Sequence, residues 1–263
     1  MQTLTILFIG DVVGRPGRRA VHTEVPKLKR THGVDLVIAN VENAAGGFGV
    51  TAKVVEELHA SGVDLMTTGN HVWDKRESYD LIDETPYLLR PLNYPPGVPG
   101  RGSLVYQGAG WRLGLVNLSG RVFIPGFDDP FRAVNSLLQT DLTKSDLILV
   151  DFHAEATAEK VAMGWYLDGK VAAVVGTHTH VQTADARILP KGTAYITDLG
   201  MTGPLNSVLG MDRDIIINKF LTQMPARFEV ESGPYTFQGV VITYDLMNRR
   251  SVSIERIFTN EQE

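Results

Sequence analysis

Short apolar runs punctuate the first two-thirds of the chain, each closed by turn residues and most followed by a stretch of helical period. The runs at 4–9, 36–39, 65–68, 147–150 and 171–175 are too short for helices and rich in Val, Ile and Leu, as strands buried on both faces should be. Helices are predicted at about 18–31, 51–61, 75–83, 131–140 and 155–168, with Thr51 as the start of the second. The last third changes period. Residues 251–257 alternate strictly and 237–244 form a mixed run, which predicts antiparallel strands, and 103–106 with 112–117 predict another hairpin. The expectation is an α/β chain with mixed sheets, built as one domain over residues 1–263. Pro86, Pro91, Pro95, Pro96 and Pro99 crowd one segment, which reads as a stiff surface excursion, with a lid over a site as the alternative.

Composition narrows the chemistry. With 43% hydrophobic and 21% charged residues among 263, the chain has the makeup of a folded protein and can bury a full core. The absence of Cys removes disulfides, thiolate metal sites and cysteine nucleophiles, so any metal must use His, Asp, Glu or Asn. A formal net charge of -5 disfavours a duplex nucleic-acid partner, which needs clustered Lys and Arg. Residues 1–10 lack the basic start and cleavage site of a signal peptide and run into Asp11 as a buried strand would. No segment approaches the roughly 20 apolar residues of a membrane span, so the expected compartment is the cytoplasm with no membrane partner.

The residues where each predicted strand gives way to its loop carry the functional signal, because α/β sheets place their chemistry there. They are Asp11; Glu42 and Asn43; Asn70 and His71 behind Gly69; His153 behind Asp151; and His178 with His180. Taken singly, Asp11 is a helix cap or turn residue, Glu42-Asn43 a loop pair, and His153 a hydrogen-bonded histidine. Only His178-x-His180, with two imidazoles on one side of an extended segment, is moderately specific. Five strand ends delivering potential ligands to one sheet edge are hard to explain by packing, and together they point to a metal site. Oxygen and nitrogen ligands without sulfur favour Mn, Fe or Zn. The ligand set exceeds the needs of one ion and suits two, about 3.5 to 4 Å apart and bridged by a carboxylate and a hydroxide.

The order Asp, Glu-Asn, Gly-Asn-His, His, His-x-His resembles that of the calcineurin-like dinuclear metallophosphoesterases, from Asp11 to His180. The stretches 10–18 (GDVVGRPGR), 42–47 (ENAAGG), 68–74 (TGNHVWD) and 176–183 (GTHTHVQT) resemble its YmdB-like branch. The resemblance implies an αββα four-layer sandwich, a homo-oligomer such as a dimer or tetramer, and hydrolysis of 2',3'-cyclic nucleotides and related phosphodiesters. It also implies one metal held by Asp11, Glu42, Asn43 and His180 and a second by Glu42, Asn70, His153 and His178, with Fe or Mn expected and Zn as the alternative. The chain departs from the wider superfamily at Val13, where that pattern has His, at Glu42, where the bridging residue is Asp, and at Val72, where an acid is usual. Asp74 is then the nearest group able to orient His71.

His71 is the expected general acid for the departing ribose oxygen, since it shares a loop with Asn70 and an imidazole can carry a proton near neutral pH. Arg15 and Arg18 are candidates for steering phosphate, and Phe48, Trp73 and Tyr166 for stacking on a base, although aromatics beside such loops are more often core or interface. Two rival readings use the same ligands: a nucleotide-sensing regulatory protein, and a general phosphatase acting on monoesters. Two divalent ions would nearly cancel the net charge, so an acidic chain can hold a cationic pocket for a small phosphodiester.

Overall fold

The computed structural model describes residues 3–140 and 142–261. Among them, two mixed sheets form. The first has seven strands, ordered Asp11–Val12, Met201–Pro204, Tyr235–Asp245, Thr3–Ile9, Leu36–Asn40 and Leu65–Thr67, with Arg250–Asn260 also paired to Tyr235–Asp245. The second has six, ordered Ser103–Gln107, Arg112–Ser119, Leu147–His153, Ala173–Thr177, Ala194–Ile196 and Arg187–Ile188.

Alternation along the strands fixes the layers, because successive side chains point to opposite faces. Leu4, Ile6, Phe8, Leu36 and Ile38 of the first sheet meet Leu113, Leu115, Leu147 and Leu149 of the second in one buried cluster between the sheets. Their neighbours Leu7, Ile9, Val37 and Ala39 face outward onto Val21, Val25 and Leu28 of helix Gly14–His32 and Val54, Val55 and Leu58 of helix Ala52–Ala60. On the far side, Val116, Val150, Phe152 and Val174 pack against Val134 and Leu137 of helix Pro130–Leu138 and Met163 and Leu167 of helix Thr157–Leu167. The layer order is therefore helix, sheet, sheet, helix, the αββα sandwich expected.

The differences from the sequence expectation have local causes. The first helix starts at Gly14 rather than 18, because Pro16 in its first turn needs no backbone donor and Gly17 packs flush on the strand carbonyl of Thr202. The strand expected at 171–175 lies two residues later, at Ala173–Thr177, and that expected at 147–150 runs on to His153, which carries both onto the site. The proline-rich segment is a stiff excursion: the Arg90 guanidinium donates to the carbonyls of Pro91, Leu92, Val98, Pro99 and Gly100. It does not line the cleft at the site, so it is no lid over it. No helix among the described residues is long and apolar enough to cross a membrane.

Candidate metal centre

Parallel pairing brings strand C-termini to one edge of each sheet: Thr3–Ile9 runs with Leu36–Asn40 and Leu65–Thr67, and Leu147–His153 with Ala173–Thr177. The two edges are stitched together across the sandwich. Asp151 accepts from Thr67 Oγ1 (2.5 Å), Asn40 Nδ2 (3.2 Å) and Thr177 Oγ1 (2.8 Å), all buried. Above this stitch the candidate ligands fall into two adjoining groups. In one, His153 Nε2 lies 3.1 Å from Glu42 Oε1, 3.0 Å from Asn70 Oδ1 and 3.0 Å from His178 Nδ1. In the other, His180 Nε2 lies 3.3 Å from Asn43 Oδ1 and 4.0 Å from Asp11 Oδ1. The first group brings together Glu42, Asn70, His153 and His178, and the second Asp11, Asn43 and His180.

The surrounding hydrogen bonds fix which nitrogen of each imidazole faces inward. Thr177 has one hydroxyl proton and gives it to Asp151, so its oxygen accepts from His153 Nδ1 (2.9 Å), leaving Nε2 as the nitrogen turned toward the cluster. His180 Nδ1 donates to the Leu209 carbonyl (2.9 Å), which likewise frees its Nε2. His178 is reversed, with Nε2 against the Glu155 carboxylate (3.2 Å) and Nδ1 inward. The Asn43 amide is fixed by donating Nδ2 to Gly47 O (2.9 Å), and Glu42 Oε2 accepts the His71 backbone N–H (3.0 Å). Gly69 is required here, since a Cβ at this position would run into His153 Nε2 and Glu42 Oε2.

These donors fit a divalent cation. Glu42, His153 and His178 offer one atom each, all within 4.8 Å of one another. Asp11 Oδ1 is fully buried without a hydrogen-bond partner, while its Oδ2 accepts the His178 backbone N–H (3.1 Å). An orphaned buried carboxylate oxygen facing the free Nε2 of His180 is an arrangement that a cation satisfies. The electrostatics agree. Burial opposes a charged His153, but the Glu42 charge and hydrogen bond, with Asp11 and Asp151, outweigh it and raise His153 to about 9. A field that holds a proton there also holds a metal ion. Burial and the neighbouring His153 push His178 down to about 3, so its ring is neutral and can ligate. Burial raises Asp11 to about 6, against the pull of His180 and His153.

A cleft of about 300 Å³ opens over the cluster, walled by Phe48, His71, Glu155, Leu209 and Met211. His71 sits at its side, with Nδ1 2.8 Å from Asp74 and its ring edge-on to Phe48 at 5.1 Å. The other sequence candidates lie elsewhere. Trp73 packs against Tyr79 and Tyr94, and Tyr166 against Phe131 and Lys170. Arg18 is bound by Glu57 and the Ala44 carbonyl, and Arg15 is exposed outside the cleft lining. Trp73 and Tyr166 pack as the core alternative expects, and neither arginine is among the residues that wall the cleft. Glu155, Leu209, Asp151 and Thr177 were not singled out in the sequence for these roles. The period-two spacing of Asp151 and His153 was the available clue, since it puts both on one face of their strand.

A sequence profile for a family described as YmdB-like protein matches residues 7–257. The chain is 54% identical over 98% of its length to a Bacillus subtilis (strain 168) protein named 2',3'-cyclic-nucleotide 2'-phosphodiesterase, covering 98% of that relative. Two crystal structures superpose closely. One, a Mycoplasma pneumoniae protein described as a novel phosphatase, gives a TM-score of 0.94 at 36% identity, over 100% of this chain and 95% of that one. The other, a hypothetical protein from Thermus thermophilus, gives 0.93 at 44% identity, over 98% and 100%. With its sandwich of the calcineurin-like kind and a matching profile along nearly its whole length, this chain belongs to the YmdB-like family of phosphoesterases.

Proposed function

We propose that the protein is a metal-dependent phosphodiesterase acting on 2',3'-cyclic nucleotides and related diesters. The meeting of His153 Nε2 and His178 Nδ1 with Glu42, and of His180 Nε2 with the orphaned Asp11 oxygen, carries this reading, and the identity to the Bacillus subtilis phosphodiesterase supports the substrate class. Asp11, Glu42, Asn43 and His180 would hold one ion and Glu42, Asn70, His153 and His178 the other, with Fe or Mn preferred by the mixed oxygen and nitrogen donors. When bound, such ions act as Lewis acids toward the phosphoryl group and raise the acidity of water.

The chain's own groups supply the rest. His71 is the general acid: its Nδ1 is held by Asp74, its backbone by Glu42 and its ring by Phe48, so that Nε2 delivers a proton to the departing ribose oxygen. Phe48, Leu209 and Met211 give the cleft an apolar wall suited to a nucleobase. The test is turnover by Mn- or Fe-loaded protein on 2',3'-cyclic AMP, a bis-aryl phosphodiester and an aryl monoester. Hydrolysis of both diesters is expected. Hydrolysis of the monoester alone would make the protein a general phosphatase, and metal binding without any turnover would make it a sensor.

A further inference from the structure

Beneath the candidate ligands lies a charged pair with no part in the proposed chemistry. Lys160 on helix Thr157–Leu167 and Asp198 are both about 1% exposed, and Lys160 Nζ lies 2.5 Å from Asp198 Oδ2. Burying an ion pair is costly unless its remaining hydrogen-bonding capacity is met, and apolar replacements of such pairs are often no less stable, so its presence calls for a role beyond packing. Both members spend that capacity on one short stretch of backbone. Lys160 Nζ also donates to the Thr177 carbonyl (2.8 Å), and Asp198 Oδ2 accepts the Thr179 N–H (3.1 Å). The residue between them, His178, has φ 105°, and His180 has φ 64°, a left-handed conformation that side chains other than glycine seldom adopt. Strain of this kind persists only where the surroundings over-determine it.

We propose that the buried Lys160–Asp198 ion pair is a positioning device, gripping the Thr177 carbonyl and the Thr179 amide so that His178 and His180 are held in their left-handed turn, with their nitrogens already aimed at a divalent cation. Thr183 and Gly200 lock the pair from behind: the Asp198 N–H donates to Thr183 Oγ1 (2.9 Å) and Asp198 Oδ1 accepts the Gly200 N–H (2.8 Å). The two histidines are thus set from below by the pair and from above by Glu155 and the Leu209 carbonyl. This inference rests on the metal-site reading given above.

The test uses Mn²⁺ calorimetry on the full chain and on Lys160→Met/Asp198→Asn, which removes both charges together. The variant is expected to keep a cooperative thermal transition while its Mn²⁺ dissociation constant rises by about 10- to 100-fold, the usual range for groups that orient a ligand. A folded variant with the wild-type constant overturns the proposal. If the variant fails to fold, hydrogen exchange on the metal-free wild-type chain decides. The Thr179 amide is expected to be protected to the level of the adjoining strand Ala173–Thr177, whereas free exchange there overturns the proposal. A wild-type chain that binds no Mn²⁺ contradicts the metal-site reading itself, and the exchange result still reports on the clamp.

Discussion

Thr177→Val removes one hydroxyl from the centre of the site at almost constant volume. In the wild-type chain that hydroxyl donates to Asp151 and accepts from His153 Nδ1, and all three side chains are fully buried. The valine leaves the His153 Nδ1–H without an acceptor and takes one donor from a carboxylate that has three. An unsatisfied buried donor costs about 1–3 kcal/mol, which lowers the melting temperature by several degrees in a chain of this size. Without that acceptor the imidazole is no longer held in the orientation that points Nε2 into the cluster, 3.1 Å from Glu42 Oε1. Mn²⁺ affinity is therefore expected to fall by about 10- to 100-fold. Calorimetry measures the affinity. The reasoning is refuted if folded Thr177→Val binds Mn²⁺ as well as wild type.

Gly69→Ala places a methyl against His153 and Glu42, so metal content should drop sharply by elemental analysis; full occupancy would show that the loop simply moves aside. His71→Ala should keep its metal and lose about 10²-fold or more in turnover of 2',3'-cyclic AMP, whereas loss of metal would make His71 a ligand. Glu155 touches His178 Nε2 but is about half exposed, so Glu155→Gln should weaken Mn²⁺ binding less than about fivefold, and a loss as large as that of Thr177→Val would contradict the assignment. Acid stability provides a check remote from the cleft. Burial raises the Asp185 carboxyl, but hydrogen bonds from Thr183 and Thr197 outweigh it and hold the group below its ordinary 3.8. Its stabilising contribution is complete above 3.8 and is lost as pH falls through the lower folded value, so Asp185→Asn should shrink the gap in urea stability between pH 7 and pH 3. An unchanged gap would remove Asp185 from the acid response.

The sequence exposed the candidate ligands because a buried strand must be apolar, so the polar residue at its end stands out: Asp11 after 4–9 and His153 after 147–150 are visible without any structure. The sandwich followed from the resemblance more than from periodicity, which missed the short strands Ala194–Ile196 and Met201–Pro204 and the helix Arg213–Thr222. That helix exposes Ile217, Phe220 and Leu221, so it lacks the apolar stripe by which a helix is read from sequence. The supports of the candidate ligands were illegible for a different reason. Lys160 looks like any surface lysine on a helix, and only the meeting of that helix with the loop 177–183 reveals it as buried. Trp73 and Tyr166 illustrate the opposite ambiguity, since an aromatic beside a site loop can stack on a base or on its neighbours, and composition does not tell which.

The most direct test of the central claim follows 2',3'-cyclic AMP by ³¹P NMR with the Mn-loaded protein, then after chelation and after restoring the metal. Conversion of the cyclic diester to a phosphomonoester that stops on chelation and resumes on reloading is the expected result. Turnover that persists in the thoroughly chelated protein, or a loaded protein that leaves the diester intact, would contradict it.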